Sequence, residues 1–298
     1  MKKNILIKYI TSKLLGVGLD ENTFEVVRKS FASSIIKIIG MSAGVIISIF
    51  LARSIGAEGL GLINLSNKIV GFIVVLGVFG MRPVIIKEVA IAKSNQNFIH
   101  MNNVMDTSYI LNGGLSIIFS SVVITIAPWL ANNIFNEPKL VYPLIIFSIV
   151  VTPQVFSRIL SGGLVGYKKI WQSNLVENSL STLITGLLLL ITYILNYEIN
   201  VNLVTLFYAV GRVSVTFTIG IYWKKISTRR VKTKYLFKDL ISVSFPLFLV
   251  SLSFVMVRNA DAMLIGYIGN TKEVAFYTVA VRLALLSSVF LQIVNSAI

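Results

Sequence analysis

The residues of this sequence that could do chemistry are charges standing in apolar surroundings. Six cations, Lys37, Lys68, Arg158, Arg212, Arg258 and Arg282, and two acids, Glu177 and Asp261, lie within or at the ends of long hydrophobic segments. A Lys, Arg or Asp at the centre of a bilayer costs about 2.5–3.5 kcal/mol on insertion scales. Such residues are therefore expected to face a bundle interior, to pair, or to reach an interface. Arg212, in the middle of LFYAVGRVSVTFTIG, is too far from either end to reach water and is read as lining a cavity or as half of a structural pair. Arg258 and Asp261 are three apart on one helical face. They admit two readings, a local neutralising pair or a water-filled substrate or ion pathway. Lys37 lies about two turns into its segment, where it either lines a cavity or snorkels to the surface. Arg158 and Glu177 sit at segment ends and need no special role. Arginines gathered in one cleft would offer forked donors to an anion, which is electrostatic binding rather than bond making.

Other chemistries are poorly supplied. The sequence has no cysteine and one histidine, His100, so it lacks disulfides, thiol chemistry and the usual ligands for zinc. No phosphate-cradling G-x-x-x-x-G-K-[ST] loop is present. No cofactor is expected, and the chain is not expected to be an enzyme.

The elements that position these charges are membrane helices. Of 298 residues 55% are hydrophobic and only 13% charged, against about 25% charged in a soluble domain. About 20 apolar residues span the hydrocarbon core as a helix. Eight segments meet that length: Phe31–Ala52, Gly61–Met81, Tyr109–Leu130, Val141–Leu160, Asn178–Leu195, Asn202–Trp223, Ile241–Ile265 and Ala275–Asn295. The fold class is thus all-α and polytopic.

The net charge of +15 reads as topology rather than as nucleic-acid binding. Eighteen Lys and Arg fall in one alternate set of loops, against three, Arg53, Lys139 and Lys272, in the other. The positive-inside rule then places the N-terminus in the cytoplasm. Residues 1–30 are expected to form a cytoplasmic amphipathic segment, with Ile5, Tyr9, Ile10 and Leu14 toward lipid and lysines at anionic headgroups. Trp129, Trp171 and Trp223 are read as interfacial anchors. Pro153 is expected to kink the fourth segment. Gly40–Gly44 and Gly162–Gly166 form GxxxG pairs suited to close helix packing.

The chain divides at the basic stretch 224–240, which reads as a linker. Residues 31–223 would form a six-helix bundle, and 241–298 the first two helices of a second, apparently truncated one. An internal repeat supports this division. FLARSIGAEGLGLINLSNKIVGF (50–72) and MLIGYIGNTKEVAFYTVAVRLAL (263–285) each pass from an apolar helix through a Gly turn and an acid into a helix carrying one cation, Lys68 or Arg282. Lys68 and Arg282 are therefore expected to meet across a pseudo-symmetric cleft. Duplicated bundles are common in transporters.

Three stretches carry a family resemblance: LARSIGAEGLGLINL (51–65), NADAMLIGYIGNTKEVAFYTVAVRLA (259–284) and SRILSGGLVGYKKI (157–170). The chain resembles the polysaccharide-biosynthesis, oligosaccharide-flippase branch of the multidrug/oligosaccharidyl-lipid/polysaccharide exporter superfamily. The resemblance implies a V-shaped fold of two six-helix bundles, sometimes with two further spans. It implies movement of undecaprenyl-diphosphate-linked oligosaccharide across a prokaryotic plasma membrane for O-antigen, capsule or exopolysaccharide. The candidate substrate-binding residues, read from the intramembrane charges, are Arg212, Arg282, Lys68, Arg258 and Lys37, with Asp261 the candidate for ion coupling. Implied partners are membrane lipids, a polysaccharide polymerase and glycosyltransferases. Two other functions compete: an ion-coupled multidrug exporter of the same superfamily, and a non-transporting scaffold for polysaccharide assembly. Six intramembrane cations against two acids disfavour export of organic cations.

Overall fold

The computed structural model describes residues 21–227 and 234–297. Every regular element among them is helical. The helices are α1 Glu21–Ser54, α2 Gly56–Val78, α3 Met81–Ser94, α4 Phe98–Trp129, α5 Val141–Ile149, α6 Val151–Gly166, α7 Ile170–Leu175, α8 Ser181–Ile194, α9 Val201–Ile226, α10 Phe237–Ile268 and α11 Thr271–Ala297. Of the amphipathic segment expected over residues 1–30, the first twenty lie outside the described residues, and the remainder opens α1.

Among the described residues, four helices are long and apolar enough to cross a bilayer: α2, α4 with the π turn Leu130–Ile134 that continues it, α9 and α10. They become five if the pair Pro138–Ile149 and Val151–Gly166, bent by 41°, is one span. The other expected spans fall on α1, α8 and α11. The described apolar parts of α1 (Ile38–Ser54) and α8 (Ser181–Ile194) are shorter, the latter because a π turn at Val176–Leu180 precedes it. α3 lies in what the sequence presents as a loop. Its Met81, Val84, Ile85, Val89 and Ala92 are buried, so it is an amphipathic helix laid on the bundle rather than a connection.

The bend in the fourth span falls at Val150, three residues before Pro153. Proline lacks an N–H and its ring crowds the carbonyl one turn back, so the ladder breaks there. Neighbouring helices bond to the backbone around the bend: Ser120 donates to the Ser148 carbonyl at 2.5 Å and Thr216 to the Pro153 carbonyl at 2.8 Å.

α2 is the central helix. It packs against α1, α4, α5, α6, α10 and α11, and 67% of its most apolar stretch is buried, against 11% for α10. α2 ends where Phe79 and Gly80 both adopt left-handed backbone (φ 48° and 65°). Asn112, fully buried on α4, donates to the Gly77 and Val78 carbonyls at 2.9 and 2.7 Å and so satisfies the helix terminus. A side chain at Gly80 would sit 2.9 Å from the Leu247 carbonyl carbon, and Phe79 stacks on Phe248 at 4.7 Å. This turn therefore docks directly onto α10.

The GxxxG pairs part company. Gly162 and Gly166 bring α6 onto α3, with added Cβ atoms 3.2 Å from the Arg82 carbonyl oxygen and 2.8 Å from that of Ile86. Gly44 has nothing within 4 Å of an added Cβ, so close packing does not explain it. Trp223 is not an exposed anchor either. It is 7% exposed, while Trp129 and Trp171 are 55% and 41% exposed.

Candidate functional site

Two hairpins, α1–α2 and α10–α11, carry the repeated sequence, and their second helices lie side by side. The backbones meet at Gly61, where a Cβ would lie 2.5 Å from the Thr271 carbonyl carbon, and Gly266 of α10 makes room for the Leu65 side chain, which would lie 2.9 Å from an added Cβ. Further along, each second helix sends its cation into the other hairpin. Lys68 of α2 donates to Asn259 Oδ1 at 3.2 Å and to the Arg258 carbonyl at 3.4 Å, both on α10. Arg282 of α11 donates to Ser48 and, at 3.4 Å, to the Gly44 carbonyl on α1, and to Asn64 Oδ1 on α2 at 3.1 Å. The two cations thus do not meet each other head-on. They cross, each pinning the partner hairpin, as a pseudo-two-fold relation between the repeats requires. Gly44 contributes through its carbonyl.

Arg212 of α9 reaches the same region from the far side of α2. Its Nη2 donates to Asn67 Oδ1 and its guanidinium lies 4.7 Å over the ring of fully buried Phe147. An aromatic face and an amide oxygen together hold a cation inside a helical bundle without a counter-ion. Phe147 is itself set edge-on to Tyr208 at 6.3 Å. Nη1 of Arg212 is buried without a described partner.

Asp261 and Arg258 do not form the local pair. Asp261 accepts from the Tyr277 hydroxyl on α11 and from its neighbour's backbone N–H at 3.1 Å. The side chain of Arg258 is exposed on α10. Lys37 lies on α1, and its side chain falls outside the described residues.

At the end of the bundle rich in Lys and Arg, Arg82 of α3 and Glu177 of the π turn form a two-pronged pair, Nε to Oε1 at 2.8 Å and Nη2 to Oε2 at 2.9 Å. This explains an acid at a span boundary by a structural partner that sequence spacing did not reveal. Arg158 lies within electrostatic range of both members and of Arg258, and Arg212 within range of Arg158. Lys68 senses Asp261, Arg258 and Arg282.

Four of the five proposed binding cations are placed, and all four gather around α2, α9, α10 and α11. Asn64, Asn67, Ser48, Asn259 and Tyr277 complete the set and were not singled out in the sequence. A signal for the first two was present, since Asn64, Asn67 and Lys68 share one apolar helix, and a polar amide inside a span is costly by the argument applied to charges. A cavity lies elsewhere, at the end poor in Lys and Arg. It measures about 560 Å³ and is lined by Leu62, Lys139, Tyr142, Ile145, Asn200 and Asn202 among others. Among the described residues no group of His, Cys, Asp and Glu could hold a metal.

Comparison with known proteins agrees with this architecture. Stage V sporulation protein B of Bacillus subtilis (strain 168) is 29% identical over 119 residues, which are 40% of this chain and 23% of that protein. The solved structure of the MATE multidrug transporter DinF-BH superposes with a TM-score of 0.70 at 14% identity, over 92% of this chain and 63% of that one. The chain therefore spans less than two thirds of either protein, and the second likeness speaks for the fold alone. The family description "Polysaccharide biosynthesis protein" matches residues 26–298. An all-helical, multi-pass membrane protein with this match over most of its length belongs to the polysaccharide biosynthesis protein family.

Proposed function

We propose that the chain acts in moving undecaprenyl-diphosphate-linked oligosaccharide from the cytoplasmic to the outer leaflet of a prokaryotic plasma membrane, in surface polysaccharide assembly. The observation that carries this reading is the set of intramembrane cations around α2. Arg212, Lys68, Arg282 and Arg258 stand against one acid, Asp261, and each placed ammonium or guanidinium group is held by neutral oxygens or an aromatic face or left exposed. Cations partnered by neutral groups keep their full charge available to an arriving anion. A diphosphate fits the forked donors of arginine, while the prenyl chain stays in lipid.

The end bearing Arg82, Lys93, Lys168 and Lys224 faces the cytoplasm in this reading. Residues 31–223 act as one unit and the α10–α11 hairpin as a second. Rocking of one against the other would break and remake the Lys68 and Arg282 crossings. Asp261, bonded to Tyr277, is the proposed residue for coupling these steps to a proton or sodium ion. Membrane lipids, a polymerase and glycosyltransferases are the proposed partners.

The test is a deletion strain complemented with the chain, in which lipid-linked oligosaccharide is extracted and assigned to a leaflet. Inner-leaflet accumulation in the deletion, relieved by the wild type and not by Arg212→Ala or Arg282→Ala at equal protein level, is expected. Absence of accumulation in the deletion would overturn the reading and favour the multidrug exporter or the scaffold.

A further inference from the structure

The same tripeptide pattern, an aromatic residue followed by two lysines, occurs twice, as Tyr167-Lys168-Lys169 and Trp223-Lys224-Lys225. The fold brings the two copies together. Tyr167 ends α6 and Trp223 lies in the last turn of α9, and their rings meet edge to face at 5.8 Å. Gly163 leaves room for the indole, since an added Cβ there would lie 2.9 Å from Trp223. Lys93, from the end of α3, closes the group by donating to the Tyr167 carbonyl at 2.8 Å, with its ammonium 4.1 Å above the Tyr167 ring. Lys168, Lys224 and Lys225 are exposed and Lys169 half-buried. The ion pairs among the described residues, Arg82–Glu177, His100–Glu88 and Lys139–Glu58, leave these four out.

Directly above the second doublet runs an exposed apolar stripe. Phe217 and Ile221 are 67% and 70% exposed, and with Lys225 they follow an i, i+4, i+8 spacing along one face of α9. Trp171, 41% exposed, stands just beyond the first doublet. Lysines that close an apolar stripe, beside an aromatic residue, match a phospholipid whose chain lies along the helix and whose phosphate meets the ammonium groups.

We propose that the paired aromatic-Lys-Lys turns form a binding site for a phospholipid with an anionic headgroup. This site lies on the lipid-facing surface, apart from the cations around α2. Each lysine near an anionic lipid surface contributes about fivefold in affinity, so removing four lowers it on the order of several hundredfold.

The experiment uses the full chain purified in detergent, with bound lipid measured by native mass spectrometry and the melting temperature followed on lipid addition. Phosphatidylglycerol should be retained and should raise the melting temperature of the wild type, while phosphatidylcholine should do neither. K168Q/K169Q/K224Q/K225Q should lose the preference and the corresponding four Lys→Arg changes should keep it. Should the glutamine variant fail to fold, F217S/I221S tests the site from the acyl-chain side and should also weaken retention. Equal retention of both lipids, undiminished phosphatidylglycerol on the glutamine or serine variant, or equal protection by inorganic pyrophosphate would overturn the proposal.

Discussion

Gly61→Ala is expected to destabilise the crossing of the two hairpins by an amount the geometry allows one to work out. A methyl group on Gly61 would overlap the Thr271 carbonyl oxygen and lie 2.5 Å from its carbon and 3.1 Å from the Thr271 Cα. Carbon atoms in good contact stand about 3.5–4.0 Å apart, so the two backbones must separate by about 1 Å. The obstructing atoms are main chain, and no rotamer change relieves them. Overpacking of this kind costs about 1–3 kcal/mol, and alanine returns at most about 1 kcal/mol of helix propensity. The net loss is about 1–2 kcal/mol, a fall of roughly 2–3 °C in melting temperature for a chain of this size. Gly44→Ala is the matched control, because nothing lies within 4 Å of its added Cβ. Thermal unfolding of the two variants in detergent, followed by tryptophan fluorescence, measures the difference. If Gly61→Ala melted with or above Gly44→Ala, the close backbone approach of α2 to α11 would be refuted.

Asn112→Leu should cost about 2–4 kcal/mol, since the Gly77 and Val78 carbonyls lose a buried donor, and denaturant unfolding would show it as a lower midpoint. Glu177→Gln should cost about 1–2 kcal/mol, because it removes the charge from a two-pronged, partly buried pair with Arg82. Glu58→Gln, which faces the exposed Lys139, should leave the melting curve in place. Asn67→Leu should lower stability and transport together, by stranding the Arg212 guanidinium over Phe147. If it spared both, Asn67 would not hold Arg212.

The membrane class, the helical architecture and the repeat were all legible in the sequence. Each follows from composition and from the cost of charge in hydrocarbon, and both belong to a residue and its immediate segment. The bend near Pro153 was legible for the same reason, because proline acts on its own helix. Partners were a different matter. Spacing placed Arg258 and Asp261 on one face, yet Asp261 accepts from Tyr277 on the next helix. Glu177 finds Arg82, which is 95 positions away. Symmetry indicated that Lys68 and Arg282 belong to one cleft, but only the packing of α2 beside α11 showed that each cation crosses to the opposite hairpin. α3 hid in a basic loop because its apolar face is narrow and its neighbours are polar. Gly44 and Gly162 sit in the same GxxxG pattern, yet only Gly162 meets another helix closely. The residue types along the chain decide which groups must leave lipid. Which of several oxygens each then reaches depends on helix rotation and crossing, and those are decided by the whole set of packed faces at once.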